Sequence, residues 1–294
     1  MITTSLVGLT VSDITHDIDE RWTMAYAAAL DDHLPAYFDT TAEQGVVAHP
    51  LFAVCAEWPV IVASRDASLD HGLTEAEVLT SVHATHDTMI HRLIRPGDRL
   101  STSLEMVGMT RIKPGVKSTT RLITVDQHGQ LVATTTQDGI YLGQAAEGQD
   151  QPDPDPPSSV AVERVGLPTE VPVPISAGAA HTYTECARIW NPIHTDKAVA
   201  LQSGLPDIIL HGTANLAHGV SVVVAEQADG KPQRVRRVAG RFAAMVRLPS
   251  QIVVRFWDSV SSEDGLLAVP FEVINQDGAA AVKDGVVLID PNVP

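Results

Sequence analysis

The stretch GTANLAHGVSVVVAEQ, residues 212–227, decides the fold. It contains no proline and is built from small and apolar residues with few polar ones, so it reads as a helix buried on most sides. The β-branched run at 220–224 leaves a strand as the competing reading. Downstream, residues 251–257, 266–275 and 279–288 read as successive strands, the last two joined by a turn at Asp277-Gly278. A central helix followed by a run of antiparallel strands is an α+β arrangement in which the sheet wraps one helix.

The same unit is legible upstream. Four landmarks recur in the same order. Asp32-His33-Leu34-Pro35-Ala36-Tyr37 answers Ile189-Trp190-Asn191-Pro192-Ile193-His194, and His49-Pro50-Leu51 answers His211-Gly212-Thr213. Arg95-Pro96-Gly97-Asp98 answers Val246-Arg247-Leu248-Pro249, and Asp126-Gln127-His128-Gly129 answers Asn275-Gln276-Asp277-Gly278. Strands are expected at 99–107, 117–126 and 130–142, after a central helix that Pro59 should interrupt. Between the two units, 1–143 and 161–294, lies the Pro- and Asp-rich linker 144–160, whose composition blocks helix and ladder alike.

With 294 residues, 44% hydrophobic and 19% charged, the chain has enough apolar material for two medium cores. The 36 acidic against 20 basic residues leave a net charge of -16, which repels a polyphosphate backbone and argues against nucleic acid as a partner. The two cysteines, Cys55 and Cys186, form no metal-type pair, and a reducing cytoplasm suits them. No basic start followed by an apolar run marks a secretion signal, and no apolar stretch approaches the roughly 20 residues needed to span a bilayer, so a soluble protein is expected.

The most specific local signal is Arg188-Ile189-Trp190-Asn191-Pro192-Ile193-His194-Thr195-Asp196, followed by Leu210-His211-Gly212. It resembles the hydratase motif of the MaoC-like family, double hot-dog proteins that act on acyl-CoA thioesters. The resemblance is close over the second half, while the first half resembles the family's non-catalytic amino-terminal hot-dog. It implies hydration of a trans-2-enoyl-CoA or dehydration of a 3-hydroxyacyl thioester, with (R) configuration. No cofactor or metal is implied, coenzyme A or an acyl-carrier protein bearing the substrate. It also implies a homodimer or pairing with another hot-dog chain.

Water addition to an enoyl thioester needs a base, a proton for the α carbon, and donors for the enolate oxygen. His194 suits the first two because imidazole titrates near neutrality. Gly212 opens the expected helix, whose first N–H groups lack internal partners, and the resemblance puts the oxyanion donor there. Asn191 is expected to position water or backbone, with Ile189, Trp190, His211, Arg241 and Arg247 on the substrate side. The run Lys231 to Arg237 is the densest cationic cluster and a candidate for the nucleotide phosphates, or simply a solvated face. His83, His86 and His91 with Asp87 invite a metal reading, yet they precede a strand that resembles the family's substrate side.

One departure matters. Where the family carries its catalytic Asp, this chain has Ile189. Three consequences stay open: His194 serves both proton transfers in a syn addition; Glu185 or Asp196 supplies the carboxylate; or the chain is a non-catalytic acyl-CoA binding subunit or a thioesterase on the same scaffold. Asp32 reads as a turn or capping residue.

Overall fold

The computed structural model describes residues 1–160, 162–262 and 264–294. The first half runs β1 (Ile2–Thr3), β2 (Thr10–Asp17), α1 (Glu20–Ala29), α2 (Pro35–Phe38), α3 (Ala53–Asp70) and α4 (Glu75–Val78). It continues with β3 (Ser81–Ile90), β4 (Arg99–Ile112), β5 (Gly115–Val125), β6 (Leu131–Leu142) and β7 (Ala146–Glu147). The second half runs β8 (Val165–Ile175), α5 (Ala179–Ala187), α6 (Lys197–Gln202) and α7 (Gly212–Gln227). Its strands are β9 (Val235–Phe242), β10 (Ser250–Asp258), β11 (Val260–Ser261), β12 (Leu267–Ile274) and β13 (Ala280–Ile289).

The large strands form one sheet in the order β2-β4-β5-β6-β3-β9-β13-β12-β10-β8. Read outward from its middle, the order is the same on both sides, which is the signature of a duplicated unit. The halves join where β3 and β9 pair antiparallel, with Asp87 opposite Ala239 and Thr88 opposite Val238. Each half wraps its sheet around one long helix, α3 or α7, so the fold is the α+β double hot-dog. All four recurring sequence landmarks occupy equivalent positions. Even the backbone reversals agree, since Asp31 after α1 and Arg188 after α5 both adopt the left-handed region, at φ 54 and 57°.

Residues 212–227 are helical and not a strand. Tertiary packing overrides the β-branched run, because Val220, Val223 and Val224 are fully buried against the strands around them. A Cβ on Gly219 would lie 2.3 Å from Phe271 Cε2, so glycine is what lets α7 sit down on β12. Strand alternation puts Ile252, Val254 and Phe256 beneath the same helix. The second half is thus filled by side chains.

Three expectations fail here, one of them that residues 144–160 form no ladder, since Ala146 and Glu147 pair with β1 and Gln151 bridges to Met109 through paired backbone bonds. Pro59 does not interrupt α3, which runs through it from Ala53 to Asp70; only the N–H that would bond back to Cys55 is lost. His83 and His86 do not precede a strand but stand within β3. The Pro- and Asp-rich stretch lies along the outer face of the first sheet. Gln151 and Met109 exchange backbone hydrogen bonds of 2.6 and 2.7 Å, Arg121 grips Asp153 at 2.9 Å, and Ser158 O accepts from Arg237 at 2.8 Å. Gly108 admits this strap, since a Cβ there would meet Asp153 N at 2.8 Å.

Candidate active site

The loop after α5 owes its shape to three residues. Arg188 reverses the chain in the left-handed region and lays its guanidinium over the Trp22 ring at 3.8 Å. Asn191 then caps a single 3-10 turn, Pro192–His194, in which proline pre-sets the backbone and His194 N donates to Asn191 O at 3.1 Å. The turn delivers His194 to the start of α7.

His194 is buried, and its Nδ1 lies 2.8 Å from Ile209 O. A carbonyl only accepts, so Nδ1 carries the proton and Nε2 keeps its lone pair. Nε2 makes no hydrogen bond to the described residues. The ring stacks on His211 with centroids 3.7 Å apart and planes at 26°. His211 is in turn held by Thr184 Oγ1, 3.1 Å from its Nε2. Desolvation brings the His194 pKa down to about 4, the Ile209 bond opposing it in part. His211 is pushed well below its usual value by burial and by its stacked neighbour. His194 is therefore a neutral base at physiological pH.

The N–H groups of Gly212, Thr213 and Ala214 find no backbone acceptor among the described residues; Asn215 N is the first to be satisfied, by His211 O at 3.1 Å. His211 makes no side-chain cap. Gly212, Thr213 and His194 border one cavity of about 550 Å³, which extends from the second half deep into the first, between α3 and the inner face of its sheet. Gly212 is shaped by Phe242, whose ring a Cβ would meet at 3.2 Å.

Of the residues singled out in the sequence, His194, Asn191, Gly212, His211 and Ile189 all line this cavity. Trp190 does not: it is 65% exposed, on the opposite side of the loop backbone from Ile189. Arg241 is also misplaced. Along β9 the alternating neighbours Gly240 and Phe242 take opposite sides from Arg241, which turns outward and pairs with Asp284 at 2.9 Å. Arg247 pairs with Asp277 at 2.6 Å on the surface. The cationic run is spent on pairs as well, Arg234 with Asp229, Arg236 with Asp290 and Arg237 with Asp87.

Neither proposed replacement for the missing acid reaches the site. Asp196 caps α6, accepting from Ala198 N at 2.8 Å, and Glu185 is exposed. In the first half, Tyr37 stands at the position equivalent to His194, fully buried, and Asp32 accepts from Leu34 N as an expected turn residue. Sequence reasoning missed Glu57, Arg65, Gln137 and Asn215 on the far wall, where they face the cavity with His83 and His86, the two histidines of the region that resembled the family's substrate side. Glu57 is held by Thr135, which joins Thr88 and His86 in a buried chain of 2.9 Å contacts. Burial raises the Glu57 carboxyl to about 7. The available signal was a row of polar residues at helical spacing, Glu57, Ser64, Arg65 and Ser68, in a helix meant to be buried.

Residues 163–265 match the family model of the MaoC-like domain, and residues 5–135 match the FAS1-like dehydratase domain region. The peroxisomal enoyl-CoA hydratase 2 of Arabidopsis thaliana is 29% identical over 68 residues, a stretch covering 23% of this chain and 22% of that protein. Among solved structures, a MaoC-like dehydratase from Phytophthora capsici superposes with a TM-score of 0.84 at 19% identity, covering 98% of this chain and 97% of that one. A Mycobacterium tuberculosis protein described as having a double hot-dog fold gives 0.61 at 14% identity over 96% and 95%. The peroxisomal multifunctional enzyme type 2 of Drosophila melanogaster gives 0.72 at 18% identity, with 95% of this chain matching 48% of that larger one. Residues 163–265 thus match a MaoC-like domain and residues 5–135 a dehydratase region, and the architecture shared with these structures from end to end is the double hot-dog.

Proposed function

We propose that this protein adds water to trans-2-enoyl thioesters and removes it from the corresponding 3-hydroxyacyl thioesters, with His194 as the one acid/base. The observation that carries this reading is the Nδ1–H bond from His194 to Ile209 O, which leaves the Nε2 lone pair on the cavity shared with the uncapped α7 amides. In the hydration direction Nε2 takes a proton from water as the water oxygen bonds to Cβ, and the double-bond electrons move onto the thioester oxygen. The Gly212 N–H stabilises that enolate where charge develops. The imidazolium then gives its proton to Cα as the carbonyl reforms, on the face from which water came. A pKa near 4 makes the imidazolium a willing donor in that second step.

The absent carboxylate at Ile189 favours a second reading, a binding subunit that holds acyl thioesters without converting them. Loss of the enoyl-thioester absorbance with crotonyl-CoA separates the two. His194→Ala is expected to lower kcat by about 10²–10⁴-fold, the usual worth of a positioned acid/base. Equal rates in both proteins remove His194 from the mechanism, whereas thioester binding without turnover in the wild type favours the binding subunit. The (R) configuration of the product, expected from the family, is read by chiral separation of the 3-hydroxyacyl product.

A further inference from the structure

The two halves share a scaffold but not an interior. Beneath α7 the sheet presents Ile252, Val254, Phe271 and Val273, all fully buried and packed against the helix. Beneath α3 the equivalent space is the cavity, and the sheet presents hydroxyl, amide and imidazole groups to it. Ser81 and His83 come from β3, Gln137 and Tyr141 from β6, and Ser118 and Thr120 from β5. The helix wall is apolar at Val54, Trp58 and Ile61 and ends in Arg65.

Arg65 stacks its guanidinium on Trp58 at 5.0 Å and has no hydrogen-bond acceptor or ion-pair partner among the described residues. Its side chain keeps accessible surface, yet desolvation lowers its pKa, as expected of a cation on a cavity wall. Tyr141 lies close enough that Arg65 draws its phenol pKa down against the larger effect of burial. The Tyr141 hydroxyl and the Gln137 amide make no hydrogen bond to the described residues. Opposite Tyr141 in the ladder stands Ser81. Gly139 lets two serine hydroxyls close in on the strand, since Ser118 Oγ and Ser81 Oγ lie only 3.0 and 3.2 Å from where a Cβ would be.

We propose that this cavity receives an acyl group bearing a carboxylate, held by Arg65 with the Ser81, Ser118 and Tyr141 hydroxyls. The inference rests on the thioester reading above and adds its substrate class. A saturated alkyl chain would strip water from these polar groups and return nothing, whereas a carboxylate returns charge-assisted hydrogen bonds to the guanidinium. Among the described residues Arg65 is the one Lys or Arg on the cavity, which matches one carboxylate better than the several phosphates of coenzyme A. The spacing also fits. Phe242 touches the Gly212 position and lies 4.7 Å from the His83 ring, and Ser81 is two residues further along the strand, about 7 Å. The carboxylate site is therefore a medium chain length beyond the reacting carbons.

The test compares trans-2-enoyl-CoA esters of six to ten carbons that end in a carboxylate with methyl-terminated esters of the same length. The wild type is expected to favour the carboxylated series by at least about tenfold in kcat/KM, and Arg65→Gln to abolish that preference, as when a polar site loses its partner. Arg65→Lys should restore part of it. Ser118→Ala, which leaves the Trp58 stack intact, should weaken the preference if Arg65→Gln disturbs folding. A preference unchanged by these variants overturns the proposal. So does an equal loss on both series with weakened inhibition by free coenzyme A, which would assign Arg65 to the carrier phosphates. If no enoyl ester is turned over, the hydratase reading fails by itself. Calorimetric binding of saturated carboxyacyl-CoA against neutral acyl-CoA then decides this one: selective binding lost in Arg65→Gln upholds it, and equal affinities overturn it.

Discussion

Acidification from pH 7 to pH 5 should destabilise this fold severely. Burial lowers the pKa of His49 and His86 to about 3 and of His194 and His218 to about 4, against 6.5 for the free imidazole. Below pH 6.5 the unfolded chain takes up protons that the native state refuses, so stability present above 6.5 is lost on the way to about 4. Each of these four imidazoles contributes a loss of about 1.8 kcal/mol between pH 7 and 5, roughly 7 kcal/mol together. Glu57 works in the opposite direction. Its carboxyl, raised to about 7, is protonated in the native state before the unfolded one, and it returns about 2 kcal/mol over the same interval. The net loss of about 5 kcal/mol matches the whole stability of a marginal domain. Urea unfolding at pH 7, 6 and 5, followed by tryptophan fluorescence, reads it directly. His86→Gln should flatten the dependence by one proton's share. A midpoint that holds level or rises on acidification would refute the reasoning, since it would mean that these imidazoles are hydrated and charged in the native protein.

On the proposed mechanism His194 sets the acidic limb of activity, and Ile189→Asp, which puts a carboxylate on the wall beside it, should move that limb upward from about 4 by about one unit or more in a profile of kcat against pH. An unmoved limb would show that the new acid does not sense the ring. Gly219→Ala drives a methyl into Phe271 and should cost about 1–3 kcal/mol in the urea midpoint at pH 7, with kcat largely retained in the folded fraction; no cost would place α7 further from β12 than the contacts indicate.

How far the sequence could be read differs between the two halves for physical reasons. In the second half the interior is apolar and one face of each strand shows it, so α7 and the hairpin of β12 and β13 were legible within a residue or two. His194, Asn191 and Gly212 were legible because short turns carry strong local signals. β3 was not. Its sequence SVHATHDTMI looks like loop because polar groups serve both faces, His83 and His86 toward the cavity and Asp87 toward Arg237 and the outer strap. Arg241 was misplaced, and the cationic run was left open between a phosphate site and a solvated face, because neighbours in the chain alternate sides in a strand and charge clustered in sequence is divided in space. Glu57 and Arg65 were hidden because a polar residue on a long helix is ordinarily read as solvent-facing, and only the hollow half makes it an interior residue.

The seam between β3 and β9 changes what dilution can do to this molecule. Two separate hot-dog chains would meet by diffusion and part again as their concentration fell. Here the strap across the outer sheet tethers one edge to the other, so their encounter is intramolecular and its effective concentration is set by chain length. Since the cavity draws its wall from one side of that seam and its imidazole from the other, a complete cleft accompanies every folded chain, even at very low protein concentration.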